Sequence, residues 1–394
     1  MPRHDNQLER AAPVQIVDTG SAHDDPRTPL DGIALCLSGG GYRAMLFHLG
    51  ALKRLNELGY LPKLARISSV SGGSITAGVL GLKWARLAFD ASGVSRTFDA
   101  EVVQPIRDMA GTTIDQGAIL GGIFLPGSIS DKVIDAYRTH LFGHATLQEL
   151  PDDPPRFVIN ATSVQTGALF RFSKPFAADY RVGTVPNPTI ELAVAVAASS
   201  AFPPILSPLK LRLDPAAWAA ASGLESEDLH REPFLSEAVL TDGGVYDNLG
   251  LETAWKRYKM ILVSNGGGKM KPEGEPHGDW ARHAIRVNDI IDNQVRSLRV
   301  RQLIGSFEAG VRAGTYWGLR TDMSDYQLAD CLACDFTQAT ALANTPTRLK
   351  RLEPALQEQL MNFGYAVCDA AMRKHVDPKL PAPRAFPYPA SGIG

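Results

Sequence analysis

Apolar and polar positions along the first ordered part of the chain predict alternating strands and helices. Residues 32–38 form an apolar run of strand length, and residues 45–58 carry leucines at helical spacing. Residues 64–70 are short and rich in β-branched side chains, which predicts a second strand. Residues 74–84 are apolar, small and free of proline, which predicts a buried helix. The alternation indicates an α/β fold.

Further elements follow to the end of the chain. The predicted strands are 156–160, 169–172, 238–240 and 260–264, and the predicted helices are 191–200, 246–255, 287–313 and 345–370. The helix over 287–313 is amphipathic. Such a helix more often covers a core, but it could also meet an anionic membrane or a second copy of the chain. We expect one α/β domain with a largely parallel central sheet and helices on both faces.

The domain boundaries follow from composition. We expect a flexible N-terminal arm over residues 1–30, a domain with insertions and a C-terminal helical part over 31–377, and a loose proline-rich tail over 378–394. Residues 84–150 either cap a site or only cover the sheet. The glycines of residues 266–269 predict a mobile loop, which serves as a lid or as a linker.

Charge and cysteine content exclude several classes of partner. The formal net charge of −2 leaves no basic surplus for a nucleic-acid polymer. Cys331 and Cys334 have the spacing of half a zinc site, but no second pair stands at ligand spacing, so no metal and no cofactor are expected. There is no apolar signal segment and no run of about eighteen apolar residues. We therefore expect a cytoplasmic location.

A glycine-rich segment joins the first predicted strand to the first predicted helix, and it reads Gly39-Gly40-Gly41-Tyr42-Arg43-Ala44. Glycines let backbone N–H groups turn toward an anion, and the helix N-terminus adds positive dipole. The spacing also fits a dinucleotide-binding fingerprint. However, the next strand ends in serines, whereas that fingerprint expects an acidic residue there. An oxyanion hole beside a reactive serine accounts for both segments better.

Ser71 lies where the second predicted strand changes to the second predicted helix. A serine on such a sharp turn has the geometry of a nucleophile elbow. The turn crowds the residues two before and two after the serine, so both must be small, and here they are Ser69 and Gly73. Ser69 stands where the usual G-x-S-x-G pattern has glycine. The segment alone is equally compatible with a flexible turn.

Asp242 is the candidate base for this serine. A serine hydroxyl is a weak nucleophile until a base within hydrogen-bond reach takes its proton. Asp242 ends a short apolar strand and precedes two glycines, which places its carboxylate at the edge of the sheet where α/β enzymes build their sites. Histidines are the alternative, and the chain offers His48, His277, His283 and His375.

The motifs carry a family resemblance. In order, they are Ser38-Gly39-Gly40-Gly41-Tyr42-Arg43, Ser69-Val70-Ser71-Gly72-Gly73 and Thr241-Asp242-Gly243-Gly244, with a weaker block at Ala198-Ser199-Ser200-Ala201-Phe202-Pro203. Together they resemble the G-G-G-x-R/K loop, G-x-S-x-G elbow, D-G-G/A motif and A-S-x-A-x-P block of the patatin-like phospholipase family. The resemblance covers about residues 32–265, and Ser69 departs from it.

The resemblance implies a patatin-like, three-layer α/β/α fold and a Ser71–Asp242 dyad instead of a histidine triad. It further implies an oxyanion hole built from Gly39, Gly40, Gly41 and Gly72. Arg43 would hold the loop or a lipid phosphate; the alternative is a solvated or ion-paired arginine. Its charge is unfavourable near a helix N-terminus, so an anionic group of the protein or the substrate should offset it.

The expected function is hydrolysis of glycerophospholipid esters to free fatty acids, of phospholipase A or lysophospholipase type. The expected partner is a phospholipid or membrane surface, with transient membrane association. A regulated, membrane-degrading effector with an activating small-molecule ligand is one form this function could take, and a homo-oligomer stays open. The alternatives are a catalytically silent lipid-binding or storage protein and a nucleotide-binding protein that uses the glycine-rich loop.

Overall fold

The computed structural model describes residues 29–114, 128–152, 154–220, 229–268 and 270–393. The strands are Leu30–Leu37 (β1), Leu64–Val70 (β2), Arg156–Ser163 (β3), Leu169–Phe172 (β4), Phe176–Asp179 (β5), Gly183–Pro186 (β6), Leu209–Arg212 (β7), Glu237–Asp242 (β8), Tyr258–Asn265 (β9) and Ala313–Gly318 (β10). The helices are Gly41–Glu57 (α1), Gly72–Lys83 (α2), Gln104–Ala110 (α3), Ser128–Tyr137 (α4), Leu192–Ser199 (α5), Gly244–Asp247 (α6), Glu252–Trp255 (α7), Trp280–Glu308 (α8), Phe336–Ala343 (α9) and Pro354–His375 (α10). Residues 1–28 of the predicted arm lie outside the described ranges.

A single mixed sheet forms the centre of the described part of the chain. Its strand order is β10-β9-β1-β2-β3-β4-β5-β6, with β8 also paired to β3 and β7 paired to β8. The strands from β10 to β3 run parallel, and the pairs formed by β4 to β8 are antiparallel. In the middle, Leu37 of β1 pairs with Ser69 on one side and Ser264 on the other. The carboxyl ends of β1, β2 and β9 therefore meet at one edge.

Helices cover both faces of the sheet. Successive side chains of a strand point to opposite faces, and β1 shows this directly. Leu35 and Leu37 enter the core that contains side chains of α1, α2 and α10. Ala34 and Cys36 enter a second core, to which α7 and α8 contribute Ala254 and Leu303. The predicted three-layer α/β/α arrangement is confirmed.

The packing of α10 against α1 is unusually close. A Cβ atom at Gly364 of α10 would overlap the carbonyl oxygen of Phe47, and one at Gly50 of α1 would overlap the carbonyl oxygen of Met361. The two backbones approach this closely because both helices present glycine at the contact. The buried ion pair between Arg54 of α1 and Asp369 of α10, with a nitrogen–oxygen distance of 2.7 Å, lies in the same interface.

Several boundaries differ from those predicted. The long amphipathic helix begins earlier, at Trp280, and ends at Glu308, followed by Gly310 in a left-handed conformation with φ 67°. This glycine ends the helix and frees residues 313–318 to form the edge strand β10, which the sequence did not predict. The last helix begins at 354 and not at 345, since Pro354 fits the first helical turn.

The C-terminal tail lies against the domain instead of hanging loose. Asn362 of α10 exchanges two hydrogen bonds with the backbone of Tyr388, at 2.8 and 3.0 Å. The backbone N–H of Asp335 donates to the carbonyl of Ile393, whose side chain is fully buried. The prolines of the tail carry no backbone N–H, but the residues between them supply enough polar groups to fix it.

The glycine contact between α1 and α10 gives a stability prediction. We expect Gly364→Ala to lower the free energy of unfolding by about 1–3 kcal/mol, because the new methyl group forces the helices apart. The control is Gly305→Ala in α8, where a Cβ would meet nothing within 4 Å. There the same change should stabilise by about 0.5–1 kcal/mol. Urea unfolding of both variants measures the difference; two equal shifts would contradict the close contact.

Candidate active site

Ser71 occupies a strained turn between β2 and α2. Its backbone has φ 53° and ψ −121°, a region that side-chain-bearing residues rarely adopt. Such a conformation costs on the order of 1–3 kcal/mol and persists only where the surroundings impose it. A Cβ atom at Gly72 would overlap the carbonyl oxygen of Gly41, and one at Gly73 would lie 2.7 Å from the carbonyl oxygen of Ser38. The turn is thus pressed directly against the glycine-rich loop.

Ser69, which replaces the first glycine of the elbow pattern, fits without strain. It receives a hydrogen bond from the hydroxyl of Ser74 at 3.0 Å, and its own hydroxyl donates to the carbonyl of Val158 at 3.4 Å. A small polar side chain that satisfies its hydroxyl within the sheet is compatible with this position. The departure from glycine therefore leaves the turn intact.

The sheet register brings Asp242 next to Ser71. Val70 pairs with Asn160 of β3, and the next residue of that strand, Ala161, pairs with Asp242 at the end of β8. The Ser71 hydroxyl lies close enough to the Asp242 carboxyl to lower its pKa. Two motifs distant in sequence therefore meet at one level of the sheet.

The Asp242 carboxyl is buried, and only one of its two oxygens accepts a hydrogen bond among the described residues. Oδ1 accepts a hydrogen bond from the N–H of Gly244 at 2.7 Å, whereas Oδ2 has no hydrogen-bond partner among the described residues. Burial raises the pKa of Asp242 to about 7; Asp292 adds to this rise, and the contacts with Gly244 and Ser71 oppose it. A carboxyl with a pKa near neutrality and one open oxygen is suited to take a proton.

The glycine-rich loop supplies backbone donors beside Ser71. Gly40 and Gly41 have φ 142° and 60°, which glycine adopts readily, and these angles turn the chain into α1. Within the described residues, the N–H groups of Gly40, Gly41 and Gly72 donate to no acceptor. The last two begin helices, where the N–H groups have no partner within the helix. The arrangement can hold an oxyanion.

Gly39 does not fit its predicted place in the oxyanion hole. Its N–H donates to the carbonyl of Asn248 at 3.0 Å and is therefore occupied. Its role is steric, because a Cβ atom there would overlap the Asn248 side chain and lie 3.2 Å from the Cβ of Ser71. Gly39 is therefore not one of the donors, and it is instead the residue that lets the loop approach the serine.

Ser199, from the block at 198–203, links the parts of the site. Its hydroxyl accepts a hydrogen bond from the Ser71 N–H at 2.9 Å and donates to the carbonyl of Asn160 at 2.6 Å. The carbonyls of Ser199 and Ala201 accept the N–H groups of Gly243 and Asp242. The sequence marks this block only as part of the family pattern and gives no indication of the positioning role of Ser199.

Arg43 is buried and anchors loops. Its Nε donates to the carbonyl of Gly266 at 3.0 Å, Nη1 donates to the carbonyl of Thr345, and Nη2 donates to the hydroxyl of Thr347 at 3.0 Å. Burial, together with the nearby Arg296, lowers its pKa to about 10. Residues 266–268 of the predicted mobile loop are therefore held against the site, and Lys269 lies outside the described residues.

None of the four alternative histidines is placed as a base for Ser71. His48 is buried between the Ser264 hydroxyl, 2.8 Å from Nδ1, and the Ser38 carbonyl, 2.9 Å from Nε2. Burial lowers its pKa to about 4, which favours a neutral structural imidazole. His277 and His283 are exposed, and His375 lies at the end of α10 beside Tyr326.

The described residues contain neither a metal-binding cluster nor a helix that could cross a membrane. In the ranges that the structure describes, no group of three or more His, Cys, Asp or Glu side chains could hold a metal ion. Cys331 and Cys334 are half-buried free thiols. No described helix combines the length and the apolar character that a membrane crossing requires.

Comparison with known proteins gives one family match. The profile of the family described as Patatin-like phospholipase matches residues 35–255, which include all three motifs. No curated protein matches the chain significantly.

Solved structures give distant likenesses. Human GIVD cytosolic phospholipase A2 is 13% identical, with 62% of this chain and 44% of that chain covered and a TM-score of 0.37. Its complex with methyl gamma-linolenyl fluorophosphonate is 13% identical, with 88% and 58% covered and a TM-score of 0.47. VipD from Legionella pneumophila is 16% identical, with 86% and 66% covered and a TM-score of 0.34. The chain thus spans less than two thirds of the length of each.

The buried carboxyl gives a prediction on stability against pH. The pKa of Asp242 is about 7 in the folded chain against an ordinary value of 3.8, so folding favours its protonated form. Its contribution to stability is fully present below pH 3.8 and is lost as the pH rises through 7. We therefore expect Asp242→Asn to stabilise the protein at pH 8, by up to about 4 kcal/mol, and much less at pH 5.

Urea unfolding at the two pH values measures this difference. The control is Asp325→Asn, since Asp325 is exposed at the surface; it should change the free energy of unfolding little at either pH. An Asp242→Asn variant with the same stability relative to the wild type at pH 5 and pH 8 would contradict a raised pKa.

Proposed function

The chain belongs to the patatin-like phospholipase family, and from this membership we propose that it is a serine lipid acyl hydrolase. Its substrates are glycerophospholipids or their lyso forms, and its products are free fatty acids. One observation carries the proposal. The buried Asp242 carboxyl, with an open Oδ2 and a pKa near 7, lies beside a serine on a strained turn.

The first half of the reaction forms an acyl-enzyme. The Oγ of Ser71 attacks the ester carbonyl carbon while the Asp242 carboxylate takes the hydroxyl proton. The carbonyl oxygen becomes an oxyanion, and the N–H groups of Gly40, Gly41 and Gly72 stabilise it. The tetrahedral intermediate collapses and breaks the ester bond. The departing glycerol oxygen receives the proton from Asp242.

The second half releases the acid. A water molecule attacks the acyl-enzyme, and the Asp242 carboxylate accepts its proton. A second oxyanion forms in the same set of N–H groups, and its collapse returns the proton to Ser71 Oγ. Fatty acid leaves, and both side chains regain their starting states. Each step uses groups of this chain, so the proposal includes no metal ion.

Removing either member of the dyad should abolish hydrolysis. We expect Ser71→Ala and Asp242→Ala to lower acid release from mixed phospholipid vesicles by at least about 10⁴-fold, since the two groups act as one unit. Ser92→Ala, at an exposed serine, is the control and should match the wild type. The wild-type rate should be the same with and without EDTA.

Three results would contradict or change the proposed function. Loss of activity in EDTA would contradict the metal-free mechanism. A silent wild type that a fluorophosphonate probe still labels at Ser71 would indicate a competent site that needs an activator or another ester. Silence in both assays would favour a lipid-binding protein without catalysis.

The pH dependence tests the role of Asp242 separately. Because the carboxylate is the base, kcat/KM on a dissolved ester should rise with pH and level off above an apparent pKa near 7. Below that pH the carboxyl is protonated and cannot take the Ser71 proton. A rate that stays constant from pH 5 to pH 9 would exclude Asp242 as the titrating base.

A further inference from the structure

Helix α8 carries most of the exposed large apolar side chains in the described part of the chain. Seven of the thirteen exposed large apolar side chains in the described ranges lie on it: Trp280, Ile285, Val287, Ile290, Ile291, Val295 and Leu298. Trp280 is 86% exposed, and Ile291 and Leu298 are each 55% exposed. Only Arg296 and Leu303 of this helix are buried. An apolar surface of this extent on one element marks an interaction site.

The inner side of α8 lies on the candidate active site. Arg299 donates to Glu252 at 2.9 Å and to the carbonyl of Tyr246 at 3.5 Å, which fixes the helix to the segment that follows Asp242. One turn before Arg296, Asp292 is near enough to raise the pKa of Asp242. The contacts of Arg299 therefore place the helix against the segment that follows the catalytic base.

The same stretch of α8 also reaches the glycine segment that Arg43 holds. A Cβ atom at Gly267 would lie 2.6 Å from Nη1 of Arg296, so the guanidinium packs directly on that segment. Asp292 and Arg296 thus connect α8 to both halves of the site. The outward apolar side chains on this stretch of the helix therefore belong to a segment whose inner side contacts the surroundings of the site.

Other exposed apolar side chains continue the surface around the site. Val245 directly follows Gly244, which binds the Asp242 carboxyl, and its side chain is 58% exposed. Phe202 and Ile205 are also exposed and follow Ala201, whose carbonyl accepts the Asp242 N–H. Three separate segments therefore place apolar side chains near the catalytic aspartate.

We propose that the outer face of α8, together with Val245, docks onto an anionic phospholipid surface and delivers substrate to Ser71. This inference rests on the proposed function, because it takes a lipid ester as the substrate. Ser71 and Asp242 are buried, so a lipid must leave its bilayer to reach them. Docking of this face lets the acyl chains leave the bilayer for the site without crossing water.

The charge of α8 indicates which kind of lipid surface it would bind. The helix carries five arginines against three acidic residues, although the whole chain has a net charge of −2. Arg282 is exposed but is ion-paired with Asp279 at 2.6 Å, whereas Arg301 is exposed three residues after Leu298, beside the outer apolar face. An amphipathic helix with an apolar face and a basic excess binds at the interface of anionic lipids. This combination favours a lipid surface over a second copy of an acidic chain.

The test measures vesicle binding apart from catalysis. In the Ser71→Ala background, the full chain is floated with phosphatidylcholine vesicles that contain or lack about 30% phosphatidylglycerol. We expect binding to the anionic vesicles, with at least about tenfold weaker affinity for the double variant Ile291→Gln/Leu298→Gln. The matched control is Phe336→Gln, an exposed apolar residue on α9, and it should bind like its parent.

A charge variant and an oligomer measurement complete the design. Arg301→Gln should weaken binding to anionic vesicles by roughly fivefold and leave binding to neutral vesicles unchanged. Thermal unfolding checks that each variant is folded. Unchanged binding of the double variant would overturn the proposal. So would a wild type that ignores vesicles and sediments as a dimer, if the double variant is monomeric. Because the serine is absent, a failure of the hydrolase proposal leaves this readout intact.

Discussion

The close approach of two backbone turns is the constraint on which the site depends. The elbow at Ser71 touches the glycine-rich loop through Gly72 and Gly73, at distances that no side chain would allow. This contact holds Ser71 in its unfavourable backbone conformation and keeps the two turns together. The parallel strands β1 and β2 set the spacing, since each turn directly follows the end of one of them. Arg43 and Ser199 then fix the surrounding loops.

Burial of Asp242 lowers the stability of the fold and raises the proton affinity of this one carboxyl. A carboxylate in water would be stable but would have little tendency to take a proton at neutral pH. Enclosing it beneath the sheet edge makes the charged form costly and moves its pKa toward 7. The single N–H of Gly244 offsets only part of this cost. The free energy gained from the two hydrophobic cores around the sheet, which have no direct part in the chemistry, offsets the rest of this cost.

Local features could be predicted from the sequence, but contacts between residues far apart in the chain could not. The positions of Ser71 and Asp242 at strand ends could be predicted because a turn after a strand has a short, residue-specific signature. The occupied N–H of Gly39 could not be foreseen, since its acceptor, Asn248, lies far along the chain. The helix boundary at Glu308 was missed although Gly310 marks it, because the apolar pattern continues beyond it. The tail depends on Asn362, and its proline content alone gave no indication of that contact.

The interface between α1 and α10 has a consequence for the order in which the protein forms on the ribosome. The paired residues Arg54 and Asp369 are separated by 315 positions. At a synthesis rate of about 5–20 residues per second, α1 emerges roughly 15 to 60 s before its partner. During that interval the face of α1 that α10 covers, including Phe47 and Gly50, has no native cover. The glycine-rich loop precedes this same helix, so the candidate site gains its final support late in translation, after a long stage in which the uncovered face of α1 is prone to aggregation.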